Sequence, residues 1–498
     1  MDSYGCSSEH YHLNISSSTE FYAGVDDRGN LSGGQQKNMD IDKRFKHPNY
    51  SGDPNYNNDL ALVKVNSDFS FNGNVEMIKL ATSSNSALWT PKNGSTSGSR
   101  PYVSGFGHTV SGGSVSNNLK RAAVEVTLVN NANNKIIAGG NYNGTNYDAC
   151  QGDSGGPLYA NTNPNSTSSE FNVLIGTVNG GTGCGEGGAY MNVSKFIDWI
   201  VSTIHTEDTP NFLCGGTTIT LENIGKLPDG CTMTWSVLEP FLFSTIQTND
   251  PVSGSDLTPT FTLTAANGVS GEASVRITLQ IPNEGTKIID KKMWVGLPAS
   301  PINIVTDGTF DINGSNATIC RTFGYCMTSS TVNALSTSGF SYSGWPTSNS
   351  FFGPPTTSVI EDDRVCFGTN NTGSYFLTVY ANNICGAISK NVIFQVNNCG
   401  FRVFPNPAQT TVAVEFEEPD KIESIPDVID LVEEKTQKKV KSKDVKTIKE
   451  KEKNNPKAYG KIEIDVSDLP RGVYYLNMSY ENKNGSKIEQ IRIVLTDK

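Results

Sequence analysis

No run of apolar residues in this chain approaches the ~20 that a membrane-spanning helix needs. Positive charge is also short: the net charge is −11 over 498 residues, so there is no general electrostatic case for nucleic-acid binding. The start, Met1-Asp2-Ser3-Tyr4-Gly5-Cys6, has neither the basic residues nor the apolar core of a signal peptide. Histidine is scarce, with five in the chain. What is abundant is glycine, 48 residues, together with Asn, Ser and Thr. With 18% charged and 36% hydrophobic residues, this mix suits strand-and-turn domains better than helical bundles. Ten cysteines in so extracellular-looking a composition imply an oxidising compartment. Beside them, the missing leader suggests that an N-terminal segment has been lost. The length corresponds to about three to four domains.

An all-β architecture with four units is expected. Residues 1–204 form the first, closing on Val193-Ser194-Lys195-Phe196-Ile197-Asp198-Trp199-Ile200-Val201-Ser202-Thr203-Ile204. Phe196, Ile197, Ile200 and Ile204 recur at helical spacing there. Residues 213–297 and 298–399 read as β-sandwiches, with alternating strands such as Thr232–Val237 and Ala273–Leu279. The second ends on a hairpin pattern, Ser374–Tyr380 and Asn391–Val396. Both resemble, on strand rhythm and Trp235, the immunoglobulin-like or PKD-like modules of secreted bacterial proteins. They read as spacers, with a carbohydrate or surface ligand as the alternative. Cys214 and Cys231 form a plausible local pair; the pairing of Cys6 and of the five cysteines from Cys320 to Cys399 is open.

The last unit, 400–498, opens on Phe401-Arg402-Val403-Phe404-Pro405-Asn406-Pro407-Ala408 and has inward Val412, Val414 and Phe416. A Lys- and Glu-rich stretch from about 433 to 457 is expected to form a long solvated hairpin. A Leu469-Pro470-Arg471-Gly472-Val473-Tyr474 centre and the ending Ile491-Arg492-Ile493-Val494-Leu495 follow. Together these resemble the C-terminal sorting domain of the bacterial type IX secretion system. The resemblance implies handling by that machinery, export across the outer membrane, and a secreted or cell-surface protein.

The chemistry lies in Asp148-Ala149-Cys150-Gln151-Gly152-Asp153-Ser154-Gly155-Gly156-Pro157. A serine hydroxyl is a poor nucleophile unless a base takes its proton, a carboxylate orients the base, and donors meet the oxyanion. Glycines beside Ser154 let the backbone turn tightly and present its amides. This loop resembles the nucleophile loop of trypsin-like serine proteases of the chymotrypsin family. Three further segments share the likeness: Asn57-Asn58-Asp59-Leu60-Ala61-Leu62-Val63-Lys64-Val65, Lys46-His47-Pro48-Asn49-Tyr50 and Pro101-Tyr102-Val103-Ser104-Gly105-Phe106-Gly107.

The resemblance implies a double antiparallel β-barrel, here incomplete, with the site between the barrels. It implies an endopeptidase working through an acyl-enzyme, on protein or peptide substrates, without cofactor or metal. Ser154 would be the nucleophile, Asp59 the triad carboxylate, and the amides of Gly152 and Ser154 the oxyanion hole. Asp148 would form the floor of the primary pocket and confer cleavage after Arg or Lys. Gly181 and Gly188 would keep its walls open, Gln151 would contact substrate, and Cys150 and Cys184 would form the disulfide joining the walls. Asn179 and Gly180 depart from the family's usual Ser-Trp pair, which puts the neighbouring subsite in doubt.

The base is the missing part. The family's Thr-Ala-Ala-His-Cys segment does not occur. Of His10, His12, His47, His108 and His205, only His12 lies at a plausible distance before Asp59, and it lacks the motif. The expectation is a fragment whose catalytic histidine lies upstream of Met1, leaving the chain as given nearly inactive. The family's mature amino terminus, which pairs with the aspartate matched by Asp153, would be lost with it. The alternative is a catalytically inactive homologue acting as a surface binding protein.

Overall fold

The computed structural model describes residues 4–7, 19–52, 56–94, 98–142, 145–161, 173–181, 183–221, 230–249, 259–306, 308, 310–321, 323–345, 364–452, 455–482 and 485–496. The chain divides into two compact units, Met1–Asn267 with Glu272–Met293, and Gly268–Gly271 with Trp294–Lys498.

Two sheets build the site-bearing part of the first unit. A four-stranded antiparallel sheet runs in the order Tyr4–Ser7, Ala61–Val65, Gln35–Lys46, Glu20–Ala23. The Ala61–Val65 strand is its buried centre: Leu60, Ala61, Leu62, Val63 and Val65 are all inside. The second sheet passes through Lys120–Ala123, Tyr102–Gly105, Pro157–Ala160, Val173–Gly181, Gly188–Asn192, Lys135–Ala138 and Val126–Asn130, with Lys79–Leu80 added in parallel to Val173–Gly181. Val103, Ile136, Leu158, Ile175 and Tyr190 close its core. The periodic stretch predicted to be helical forms a short 3₁₀ turn, Val193–Lys195, and an α-helix, Ile197–Asp208. Ile197, Ile200, Val201 and Ile204 supply its buried stripe.

The rest of this unit is a β-sandwich. One layer is Phe212–Leu213, Gly285–Val295, Gly271–Ile281 and Thr232–Val237; the other is Thr218–Leu221, Thr260–Ala265 and Phe243–Asn249. Alternation places Met233 and Trp235 inside on the Thr232–Val237 strand. The local pair Cys214–Cys231 is not formed, because Cys231 keeps its thiol while Cys214 is disulfide-bonded.

The second unit contains a further sandwich, Ile302–Thr306, Tyr325–Thr331 and Arg364–Phe367 over a five-stranded sheet that holds the hairpin Gly373–Asn383/Gly386–Asn397 in its interior. Tyr325, Trp345, Phe367 and Phe394 fill it, and disulfides Cys320–Cys399 and Cys326–Cys366 staple it. The final domain packs Phe401–Phe404, Thr411–Phe416 and Lys461–Asp465 against a sheet ordered Lys439–Asp444, Val428–Glu433, Gly472–Asn482, Gly485–Leu495. Val412, Val414 and Phe416 are buried there.

The Lys/Glu-rich stretch is only partly a hairpin. Val428–Glu433 pairs with Lys439–Asp444, and two short helices follow, Lys446–Lys451 and Lys457–Gly460. Asp444 breaks the strand by accepting the Thr447 amide at 3.0 Å and its hydroxyl at 2.6 Å. Lys and Glu, good helix formers, then continue as helix. Among the described residues, no helix is long and apolar enough to cross a membrane.

Candidate active site

The serine loop is pinned from both sides. Gly155 donates to the Val178 carbonyl at 2.9 Å and Val178 donates to Gly156 at 2.8 Å, tying the loop to the Val173–Gly181 strand. Gly152 has φ +91°, and a Cβ there would meet Gly107 Cα at 3.2 Å. Glycine therefore satisfies both the left-handed backbone and the close approach. Asp153 turns inward, accepting the Gly107 amide on Oδ1 at 2.8 Å and the Cys150 amide on Oδ2 at 2.9 Å. A Cβ on Gly105 would sit 2.0 Å from Asp153 Oδ1, so the Gly105-Phe106-Gly107 segment makes room for this carboxylate.

Asp148, six residues before Ser154, is half-buried. Its Oδ1 accepts the Ala149 amide at 2.6 Å and lies 3.4 Å from the hydroxyl of the fully buried Tyr190. Its Oδ2 is enclosed and has no hydrogen-bond partner among the described residues. Burial pushes the Asp148 carboxyl up to about 6, against the opposing pull of the Ala149 and Gly187 amides. Glycine at 188 is a requirement of this arrangement, since a Cβ there would lie 2.8 Å from Asp148 Oδ1. At Gly181 a Cβ would meet the Gly187 carbonyl at 3.0 Å. Cys150 and Cys184 form a disulfide, with Cα atoms 4.8 Å apart. Gln151 is exposed, and its Oε1 lies 3.0 and 2.9 Å from the two disulfide sulfurs.

Asp59 has no solvent exposure. Asn179, also buried, donates from Nδ2 to Asp59 Oδ2 at 2.8 Å and to the Tyr56 carbonyl at 3.1 Å. The turn leading into Asp59 is strained, because Tyr56 and Asn58 before it have φ of 41° and 51°. Asn134 Nδ2 donates to Asn58 Oδ1 at 3.2 Å, and Asn58 Nδ2 donates to the Asn49 carbonyl at 3.0 Å. Amide side chains thus hold this turn from both sheets. Val178 and Asn179 are adjacent, so one strand fixes the serine loop through its backbone and Asp59 through a side chain. Sequence reasoning treated Asn179 as a change in a substrate subsite. The available signal was that a primary amide, like the serine it replaces, can donate to a carboxylate.

Residues 6–200 match the family model described as Trypsin, and residues 402–493 match the secretion system C-terminal sorting domain. The chain is 34% identical to trypsin-1 of Astacus astacus over 182 residues, covering 34% of this chain and 68% of that protein. It is 30% identical to trypsin-2 of Salmo salar, over 35% of this chain and 70% of that protein. It is 32% identical to anionic trypsin of Bos taurus, over 35% of this chain. The chain belongs to the trypsin family. It spans 66% of the length of the bovine protein. Its sorting domain marks it for type IX export, to a secreted or cell-surface location.

Two hollows flank the trypsin-family site. One of about 430 Å³ lies behind the serine loop and includes Gly107, His108, Lys120, Asp148 and Asp153 in its lining. The other, about 570 Å³, runs along Tyr56, Lys135, Ile137, Gly180 and Glu186, where Gly180 contributes no side chain. The rings of His47 and His205 are engaged away from these hollows, whereas His108 lines the first of them. His47 lies edge-on to Phe196 and Trp199, at 5.2 and 5.0 Å between ring centres, and burial holds its imidazole below the ordinary range. The amide of His108 donates to the Gln151 carbonyl at 2.8 Å. His205 is buried on the C-terminal helix. His10 and His12 lie outside the described residues.

Proposed function

We propose that the trypsin domain is that of a secreted serine endopeptidase that cleaves after Arg or Lys. Ser154 is the nucleophile, Asp59 the triad carboxylate, and the amides of Gly152 and Ser154 the oxyanion hole. Asp148 receives the substrate's cation between the walls bearing Gly181 and Gly188, and Gln151 and the Cys150–Cys184 disulfide line the approach. The working division is a trypsin domain at 1–204, sandwiches at 213–297 and 298–399, and a sorting domain at 400–498.

The observation that supports the specificity is the enclosed Asp148 Oδ2, which has no partner among the described residues. A buried carboxylate lacking one hydrogen bond is costly unless a cation meets it. Among the described residues, the His47 ring packs edge-on to Phe196 and Trp199 and the His205 ring bonds the Val275 carbonyl, so both rings are engaged elsewhere. That observation favours the second reading, a catalytically inactive homologue whose sandwiches hold a carbohydrate or surface ligand. A fluorophosphonate that labels activated serines, followed by cleavage assays on arginyl, lysyl and neutral peptides, separates the two. In the protein that carries the histidine base, labelling at Ser154 with basic preference is the expected result, whereas the chain as given should react only weakly. Absence of labelling and cleavage, with retained binding to glycans or cell surfaces, would establish the second reading instead.

A further inference from the structure

The helix that ends the trypsin domain is docked onto the first β-sandwich through a buried histidine. His205 is 1% exposed. Its Nε2 lies 2.9 Å from the Val275 carbonyl of the sandwich strand Gly271–Ile281, and its Nδ1 lies 3.1 Å from Thr209 Oγ1. A carbonyl can only accept, so Nε2 carries the proton and Nδ1 accepts from the threonine. The neutral ring is fully satisfied. It stands edge-on to Trp235 at 5.3 Å, and Trp235 in turn stacks on Phe261 at 5.6 Å.

A second contact fixes the orientation. Ser83, at the start of a 3₁₀ helix of the trypsin domain, bonds Glu284 Oε1 through its amide and the Pro282 carbonyl through its hydroxyl, both at 3.2 Å. Lys287 pairs with Asp198 at 3.3 Å on the same face. The module is thus held to the trypsin domain at two separated points.

We propose that the trypsin domain and the first sandwich act as one body whose joint is latched by neutral His205 and released by acid. Charging the ring requires a cation in a site closed by Trp235, and the Thr209 hydroxyl must reverse to accept from Nδ1. The charged groups facing the ring are Asp208 on its own helix and Asp290 and Lys291 from the module. Arg276 grips Asp290 at 2.7 Å and Lys64 grips Asp208 at 2.8 Å, so neither carboxylate is wholly available to offset the new charge. Burial holds the imidazole below its ordinary range. Docking stability is therefore present above that range and lost as pH falls through it toward the depressed value.

The test is amide hydrogen exchange of the full chain at pH 8 and pH 5, corrected for intrinsic rates. Helix Ile197–Asp208 and strand Gly271–Ile281 should lose protection together at low pH, by up to about tenfold per pH unit. In His205→Gln the side-chain amide still donates to Val275 but cannot titrate, so protection should persist at pH 5. Unchanged protection in the wild type, or the same acid loss in the glutamine variant, would overturn the latch. Should that variant fail to fold, the wild-type imidazole resonance decides. An ordinary titration of His205 with the docked strand still protected refutes the proposal, and titration in step with undocking supports it.

Discussion

Asn179 Nδ2 and Asp59 Oδ2 are 2.8 Å apart, a buried bond joining residues 120 positions apart in sequence. The same amide holds the Tyr56 carbonyl, so it braces both the carboxylate and the strained turn that presents it. Asn179→Ala removes a charge-assisted hydrogen bond from a site that water does not reach. The expected cost is about 1.5–3 kcal/mol of unfolding free energy, with Asn179→Ser recovering part of it. Chemical denaturation of the variants measures this, and a loss below about 0.5 kcal/mol would mean that Asn179 is not the brace.

Asp148 should make cation binding pH-dependent. Its carboxyl titrates at about 6, raised above its ordinary value, so it is protonated and neutral well below that pH and anionic above it. Affinity for an arginine-like amidinium ligand should rise by up to about tenfold per pH unit between pH 4 and 6, then level off. Isothermal titration across this range, repeated with Asp148→Asn, reads the effect. A flat wild-type profile, or the same slope in the asparagine variant, would remove Asp148 from the pocket floor.

Gly188 gives an independent handle on the same pocket. A methyl group there would lie 2.8 Å from Asp148 Oδ1, closer than real side-chain carbons approach. Gly188→Ala should therefore displace the carboxylate and weaken amidinium binding by more than about tenfold, equivalent to 1.4 kcal/mol. Gly180→Ala, where a Cβ would meet nothing within 4 Å, serves as the control. Equal affinities for the two variants would show that Gly188 does not shape the pocket.

Much of the fold was legible because its signals are local. Glycines around Ser154, the apolar run Leu60-Ala61-Leu62-Val63 after Asp59, and Ile197, Ile200 and Ile204 at helical spacing each declare their structure within a few residues. The Asn179–Asp59 brace and the His205–Val275 dock were not legible. They join groups 120 and 70 residues apart, and only packing of separate elements decides such contacts. The stretch after Asp444 misled for another reason. A Lys/Glu pattern fits a solvated strand or a solvated helix equally, and the Asp444–Thr447 hydrogen bonds tip it to helix.

Arg402 lies at the start of the sorting domain, on the strand Phe401–Phe404. Its guanidinium lies 4.7, 4.9 and 4.6 Å from the ring centres of Phe323, Tyr325 and Phe404. It also bonds Glu415 Oε2 through Nε and Nη2, at 2.8 and 2.6 Å, and the Gly324 carbonyl at 2.9 Å. A flat, weakly hydrated cation suits three aromatic faces and a carboxylate at once; an ammonium meets only one of these partners well. Arg402→Lys should therefore destabilise nearly as much as Arg402→Ala, by about 1–3 kcal/mol for loss of a partly buried, hydrogen-bonded pair. Arg402→Met, which keeps the stem but leaves Glu415 unmatched, should fall with them. If the lysine variant melts with the wild type, charge alone would suffice and the aromatic stack would contribute little.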